Sequence, residues 1–192
     1  MIDNMRRMRT AIVLLLCAVC MMGKAAEVYD NAVKVTFLSW ITGSTKLSYE
    51  RAFANHQSVE VCASMIGAGY DKFQNNPLGF TLRYGHKFFL TGNHRGGLQG
   101  FYVRPEAIYS HYSYDAMSSQ QRTPAKMGAV LATTGYQMHL NRLLIDAWVG
   151  GGYAFGNPAE TGYHHGFALW NAFGKSWEHV ALSFSVKLGI CF

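Results

Sequence analysis

The chain has 192 residues, the length of one domain, with 15% charged and 14% aromatic residues and a formal charge of +6. The charged fraction lies below the roughly 25% of an ordinary soluble protein, which argues against a surface that meets water all round. The positive charge does not point to nucleic acid: residues 1–25 hold four basic residues against one acidic residue, net +3, and the remainder, also about +3, shows no basic stripe.

The first element is a leader. "MIDNMRRMRT" carries Arg6, Arg7 and Arg9, "AIVLLLCAVCMM" is a short apolar core, and Gly23 and Ala25 supply small residues at a cleavage site. This order predicts a secretory signal peptide over residues 1–25, which leaves a mature chain of 26–192. The apolar run is short for a transmembrane helix. Cys17 and Cys20 lack the small preceding residues of a lipoprotein site. Removing the leader leaves Cys62 and Cys191, too few and too far apart for a disulfide framework or a zinc site.

Period-two alternation then recurs to the end of the chain. "NAVKVTFLSWI" sets Val33, Val35 and Phe37 against Lys34 and Thr36, and "TKLSYERA" sets Leu47 and Tyr49 against Lys46, Ser48 and Glu50. "QSVEVCASM" opposes Val59 and Val61 to Glu60 and Cys62, and "PLGFTLRYGHK" opposes Leu78, Phe80, Leu82 and Tyr84 to Thr81 and Arg83. "GFYVRPEAIYSHYSY" alternates Phe101, Val103, Ala107 and Tyr109 with Tyr102, Arg104 and Glu106. "GAVLATTGYQMHL" and "LLIDAWVGGGYAF" continue the pattern, and "VALSFSVKLGICF" closes it with Val180, Leu182, Phe184, Val186, Leu188, Ile190 and Phe192 on one face. Eight strands are predicted, and no helical period with caps interrupts them. Segment 156–179, with Phe167, Trp170, Phe173 and Trp177, holds room for a further hairpin, which would make ten. Pro105 lacks a ladder donor and predicts a bulge or an early end to pairing in the fifth strand.

The connections alternate in length. "ANHQ", "TGNHRGG" and "NR" are short, whereas "GAGYDKFQNNP", "DAMSSQQRTPAK" and 156–179 are longer; "TGST" alone is short on the long side. Short turns at one end and longer loops at the other are the habit of transmembrane barrels.

The small face of these strands decides which side is inward. It is rich in Gly, Ala, Ser and Thr with isolated charges, too few for a water-facing surface. It suits the lumen of a narrow barrel, where small residues make room for a few large ones. The fold predicted is therefore an all-β, transmembrane, antiparallel up-and-down barrel whose apolar face meets lipid. The inward charges are Lys34, Lys46, Glu50, Glu60, Arg83, Lys87, Arg104, Glu106, Asp146 and Lys187. In so narrow a space they must pair, giving an ionic plug with a structural role and no open channel.

Closure requires the first strand to pair with the last, since lipid cannot satisfy a sheet edge. The alternating final strand ending in Phe192 resembles the C-terminal signal of bacterial outer-membrane barrels, and the whole mature chain resembles small barrels of the OmpA and OmpX kind in architecture. The resemblance implies export to the outer membrane, contact with its lipid, and recognition of Phe192 by the barrel-assembly machinery. It brings no activity with it.

Candidate chemistry is sparse. His111, Ser113 and Asp115 share an outward parity, and a His and Ser there resemble the outer-wall site of lipid A deacylase barrels. That alternative needs a base and an orienting acid at hydrogen-bonding distance. The plainer reading is an interfacial belt with Tyr109, Tyr112 and Tyr114. His164, His165 and His179 lack a ligand pattern and read as loop residues, so no metal site is expected. Without a Walker loop, a dinucleotide fingerprint or a nucleophile elbow, no cofactor is expected either. The expectation is a non-enzymatic barrel that presents loops, with 156–179 as the surface for a partner.

Overall fold

The computed structural model describes residues 29–37, 39–71, 73–91, 98–116, 121–159, 161–170 and 179–192. The predicted signal peptide, 1–25, lies outside the described residues. Among the described residues nine strands follow in chain order: β1 Asn31–Thr36, β2 Thr42–Ala54, β3 Gln57–Asp71, β4 Asn75–Phe89, β5 Gly100–Asp115, β6 Arg122–Leu140, β7 Leu143–Asn157, β8 Ala168–Leu169 and β9 Val180–Cys191. Each strand from β1 to β6 pairs antiparallel with the next, and β9 pairs with both β7 and β1. These eight strands close an all-antiparallel barrel; β8 adds only two residues to the edge of β9. The ten-strand alternative does not arise among the described residues.

The barrel closes at the chain's last residue. Ala32 pairs with Cys191, and the ladder runs to Thr36 opposite Lys187. Beyond it, the Phe192 N–H donates to the Asn31 carbonyl at 2.9 Å and the Asn31 N–H donates to the Phe192 carbonyl at 3.2 Å. The terminal residue is thus a rung of the closing ladder, with its ring on the outside.

Side-chain parity follows the sequence in every long strand. Val33, Leu47, Val61, Leu82, Tyr109, Val130, Val149 and Phe184, one from each barrel strand, are all exposed on the outer wall. Their neighbours point inward and are buried or half-buried. Large lumen residues fit because glycines stand opposite them: a Cβ on Gly85 would lie 2.6 Å from Arg104 Cδ, and one on Gly189 would lie 2.5 Å from Lys34 Cγ.

Three local expectations are corrected. The first strand stops at Thr36, where the predicted segment ran to Ile41; Ser39–Ile41 form a single 3-10 turn instead. The Thr42 hydroxyl donates to the Ser39 carbonyl at 2.8 Å, and Gly43 takes φ +69°, so local turn chemistry overrides the alternation. The connection "GAGYDKFQNNP" is mostly strand, for β3 runs to Asp71 and β4 starts at Asn75. Gly67 and Gly69, at φ +99° and +132°, carry the irregular top of β3. Finally, Pro105 causes no bulge. It pairs in register with Ala132, while the β4 side of the ladder skips two rungs between Gly85↔Glu106 and Phe88↔Val103 and resumes unshifted.

The lumen is layered. At the end carrying Asn31, Phe192 and the turns Asn55–His56 and Asn141–Arg142, Ala32, Leu98, Leu144 and Cys191 form an apolar floor. Leu98 belongs to the β4–β5 connection, and its carbonyl accepts from Gln137 Nε2 at 3.0 Å. Charged residues fill the middle. Nearer the other end lies an apolar layer of Ile108, Met127, Leu131 and Phe167.

Candidate functional site

Glu50 and Glu60 stand directly opposite each other on β2 and β3. Two carboxylates so placed repel unless cations lie between them. Lys34 and Lys87 supply these. Lys34 Nζ lies 2.5 Å from Glu50 and 2.9 Å from Asp146, and it also pairs with Glu60. Lys87 Nζ lies 2.7 Å from Asp146 and 3.1 Å from Glu50, and donates to Gln137 Oε1 at 2.5 Å. Lys187 closes on Glu60. The Tyr102 hydroxyl donates to the second Asp146 oxygen at 2.6 Å.

A second node joins β4 and β5. Glu106 forms ion pairs with Arg104 at 2.5 Å and with Arg83 at 3.0 Å. The Arg104 guanidinium also lies 5.0 Å from the Trp148 ring centre, and Lys187 Nζ lies 4.7 Å from it. Every member of this assembly is inward and buried. In a low dielectric such pairs are costly to break, because removal of one partner strands the other.

Nine of the ten inward charges predicted from sequence meet here. Lys46 is the exception, and it corrects the expectation that all would pair. It sits further up β2 than Glu50, and among the described residues it makes no hydrogen bond or ion pair; its charged neighbours are Arg83 and Lys187. The Glu50, Glu60 and Asp146 oxygens cluster within 4.8 Å of one another, a spacing that suits a metal ion. The Lys34 and Lys87 ammoniums already supply the positive charge there.

Each member of the outer-wall trio His111, Ser113 and Asp115 has a partner outside the trio. His111 stacks on Phe80 at 5.7 Å. Ser113 Oγ accepts from Arg122 Nε at 3.0 Å, and Asp115 accepts from Asn76 Nδ2 at 2.8 Å. Among the described residues no hydrogen bond joins His111 to Ser113 or Asp115.

Sequence reasoning missed the fold of the last loop. Tyr163 to Phe167 turn into the barrel, and His164, His165 and Phe167 are buried. The Gly166 carbonyl accepts from Arg83 at 2.6 Å and from Ser183 Oγ at 2.9 Å. The Ser110 hydroxyl donates to the His164 carbonyl at 2.7 Å, and the Tyr112 hydroxyl to that of Tyr163 at 2.9 Å. His165 lies between the Thr42 carbonyl and Gln74, at 3.2 and 3.1 Å. Burial alone lowers His164 to about 4, so it is neutral at pH 7. The signal was compositional: paired histidines and a Phe in a polar loop are costly unless they find a lumen.

The model of a family described as "Protein of unknown function (DUF3575)" matches residues 11–178. The chain belongs to the DUF3575 family. The match stops short of β9, the strand that closes the barrel. No curated protein matches the chain, and no solved structure does.

Proposed function

We propose that this DUF3575 chain is an exported barrel of the bacterial outer membrane. Its apolar wall anchors it, its own side chains seal it, and its longer connections form a binding surface at the outer face. It performs no chemistry of its own.

The observation that carries this reading is the wall. Apolar side chains are exposed on all eight barrel strands, in a ring that no buried interface covers. A soluble monomer rarely exposes so much contiguous apolar area. Lipid accepts such a wall, provided that every backbone group is paired within the barrel. Tyr70, Tyr153 and Phe155 stand exposed toward the long-loop end, where an interfacial aromatic girdle belongs. The terminal Phe192, a rung of the closing ladder, keeps its resemblance to an assembly signal read by the barrel machinery. The inward turn of residues 163–167 takes these out of the partner surface expected over 156–179, which falls, among the described residues, to exposed residues that include Gly156, Asn157, Pro158 and Thr161.

Planar-bilayer recording tests the sealed lumen. Pure refolded protein should give no stable conductance, and reproducible open-pore steps would overturn the plug. The deacylase alternative is tested on the same chain: lipid A from expressing cells should keep its acyl chains. Loss of a chain that depends on His111 would replace the non-enzymatic reading.

A further inference from the structure

β1 is six residues long, whereas β2 has thirteen and β9 twelve. The β1–β9 ladder therefore ends early, at Thr36↔Lys187, with one last bond from the Phe37 N–H to the Val186 carbonyl at 2.8 Å. Further up β9, β8 takes Ala181 and Leu182 as partners. Between these two stretches the same edge of Ser183, Phe184 and Ser185 carries no backbone pairing among the described residues.

A cavity of about 380 Å³ opens at this interruption. Residues of both faces line it: Phe37 and Phe184 from the outer wall, Lys46, Arg83 and Lys187 from the lumen. In a closed barrel one cavity touches both faces only where the wall is interrupted. Its volume is that of an ordinary small-ligand site.

Arg83, Lys187 and Ser183 at its wall are partnered, but three other polar groups that line it are not, among the described residues. Lys46 Nζ meets no carboxylate and no other hydrogen-bond partner among the described residues. Trp148 Nε1 and Thr36 Oγ1, both on cavity-lining residues only 5% exposed, have no hydrogen-bond partner. Buried polar groups are normally satisfied, and such exceptions call for an explanation. The ten inward charges comprise six cations and four carboxylates, so the lumen has room for an anion. The mouth is apolar, formed by Phe37, Leu182 and Phe184, and an open apolar groove on the outer wall shares Phe37 and Phe184 with it.

We infer that this side opening binds a long-chain fatty carboxylate. The chain lies along Phe37, Leu182 and Phe184, and the carboxylate enters the wall to meet Lys46, with Trp148 Nε1 and Thr36 as further donors. The inference rests on the membrane reading, because a hydrocarbon surrounding is what delivers an acyl chain to a lateral opening.

The test uses the mature chain refolded in an uncharged maltoside detergent, with a photoactivatable diazirine analogue of palmitate and peptide mass spectrometry. Adducts should concentrate at Phe37, Leu182 and Phe184. Excess palmitate should compete, whereas hexadecanol and acetate should not. Lys46→Met should reduce labelling about tenfold or more, the loss expected for one charge-assisted hydrogen bond, and Lys46→Arg should restore it. Lys46 has no native partner to strand, so the variant should fold; heat-modifiable migration of the same samples checks this. Labelling spread evenly over the wall, equal competition by hexadecanol, or an undiminished Lys46→Met signal would each overturn the site while leaving the barrel intact. Failure of the wild type to fold in detergent would instead remove the membrane reading itself.

Discussion

Lys87 shows what holds the lumen together at the scale of one residue. Its ammonium touches Asp146, Glu50, Glu60 and Gln137 at once, with no water-exposed surface. Lys87→Met keeps the volume but leaves Asp146 and Glu50 short of a cation. The expected cost is about 3–5 kcal/mol, the range for a buried ion pair broken on one side. Urea unfolding of the refolded protein in detergent measures it. Lys46→Met is the control, and should cost far less because no carboxylate depends on Lys46. Equal losses would mean that the network contributes only packing. The inward set was legible from parity alone, since period two assigns each residue to a face. The pairings were not. Lys34 and Asp146 lie 112 residues apart, and only strand order and register bring them together.

At the scale of elements, the strands were legible and their ends were not. Alternation continues through "NAVKVTFLSWI", yet a hydroxyl-capped turn and Gly43 stop β1 at Thr36. The inward loop was equally hidden, because no period marks a segment that folds into a lumen. That loop has a pH signature. His164 falls to about 4 by burial, below the 6.5 of an exposed histidine. The folded-in form is thus favoured above pH 6.5 and loses that advantage as the pH falls toward 4, where the displaced loop would take up a proton first. His164 Nδ1 lies 3.0 Å from the Tyr112 hydroxyl, and Nε2 has no partner to welcome a proton. Melting temperature in detergent should drop more between pH 7.5 and 4.5 for wild type than for His164→Phe. Parallel drops would exclude His164 as the cause. The last element makes a separate prediction. Deleting Phe192 removes two backbone bonds to Asn31 and one exposed ring, leaving the five rungs from Ala32↔Cys191 to Thr36↔Lys187. A Phe side chain is worth at most about 1.5–3 kcal/mol here, so refolding from urea into detergent should survive. Assembly in cells should fail, whereas Ile190→Ala, which removes similar outer area, should assemble normally. Equal outer-membrane yields would make Phe192 one more lipid-facing side chain.

For the whole molecule, the proposed state is a sealed eight-strand barrel whose outer wall is solvated by lipid. Fold class was legible because both of its determinants are compositional, a small and sparsely charged inner face against a large apolar outer one. What the loops bind was not legible, since loop residues answer to a partner and not to a period. The direct measurement is electrophoresis of the outer-membrane fraction in dodecyl sulfate, with and without boiling. A closed hydrogen-bonded barrel resists the detergent until heated, so the unboiled chain should run as a separate, faster band that converts to the full-length position on boiling. A single band at the same position in both lanes, from a chain that stays soluble without detergent, would contradict the account.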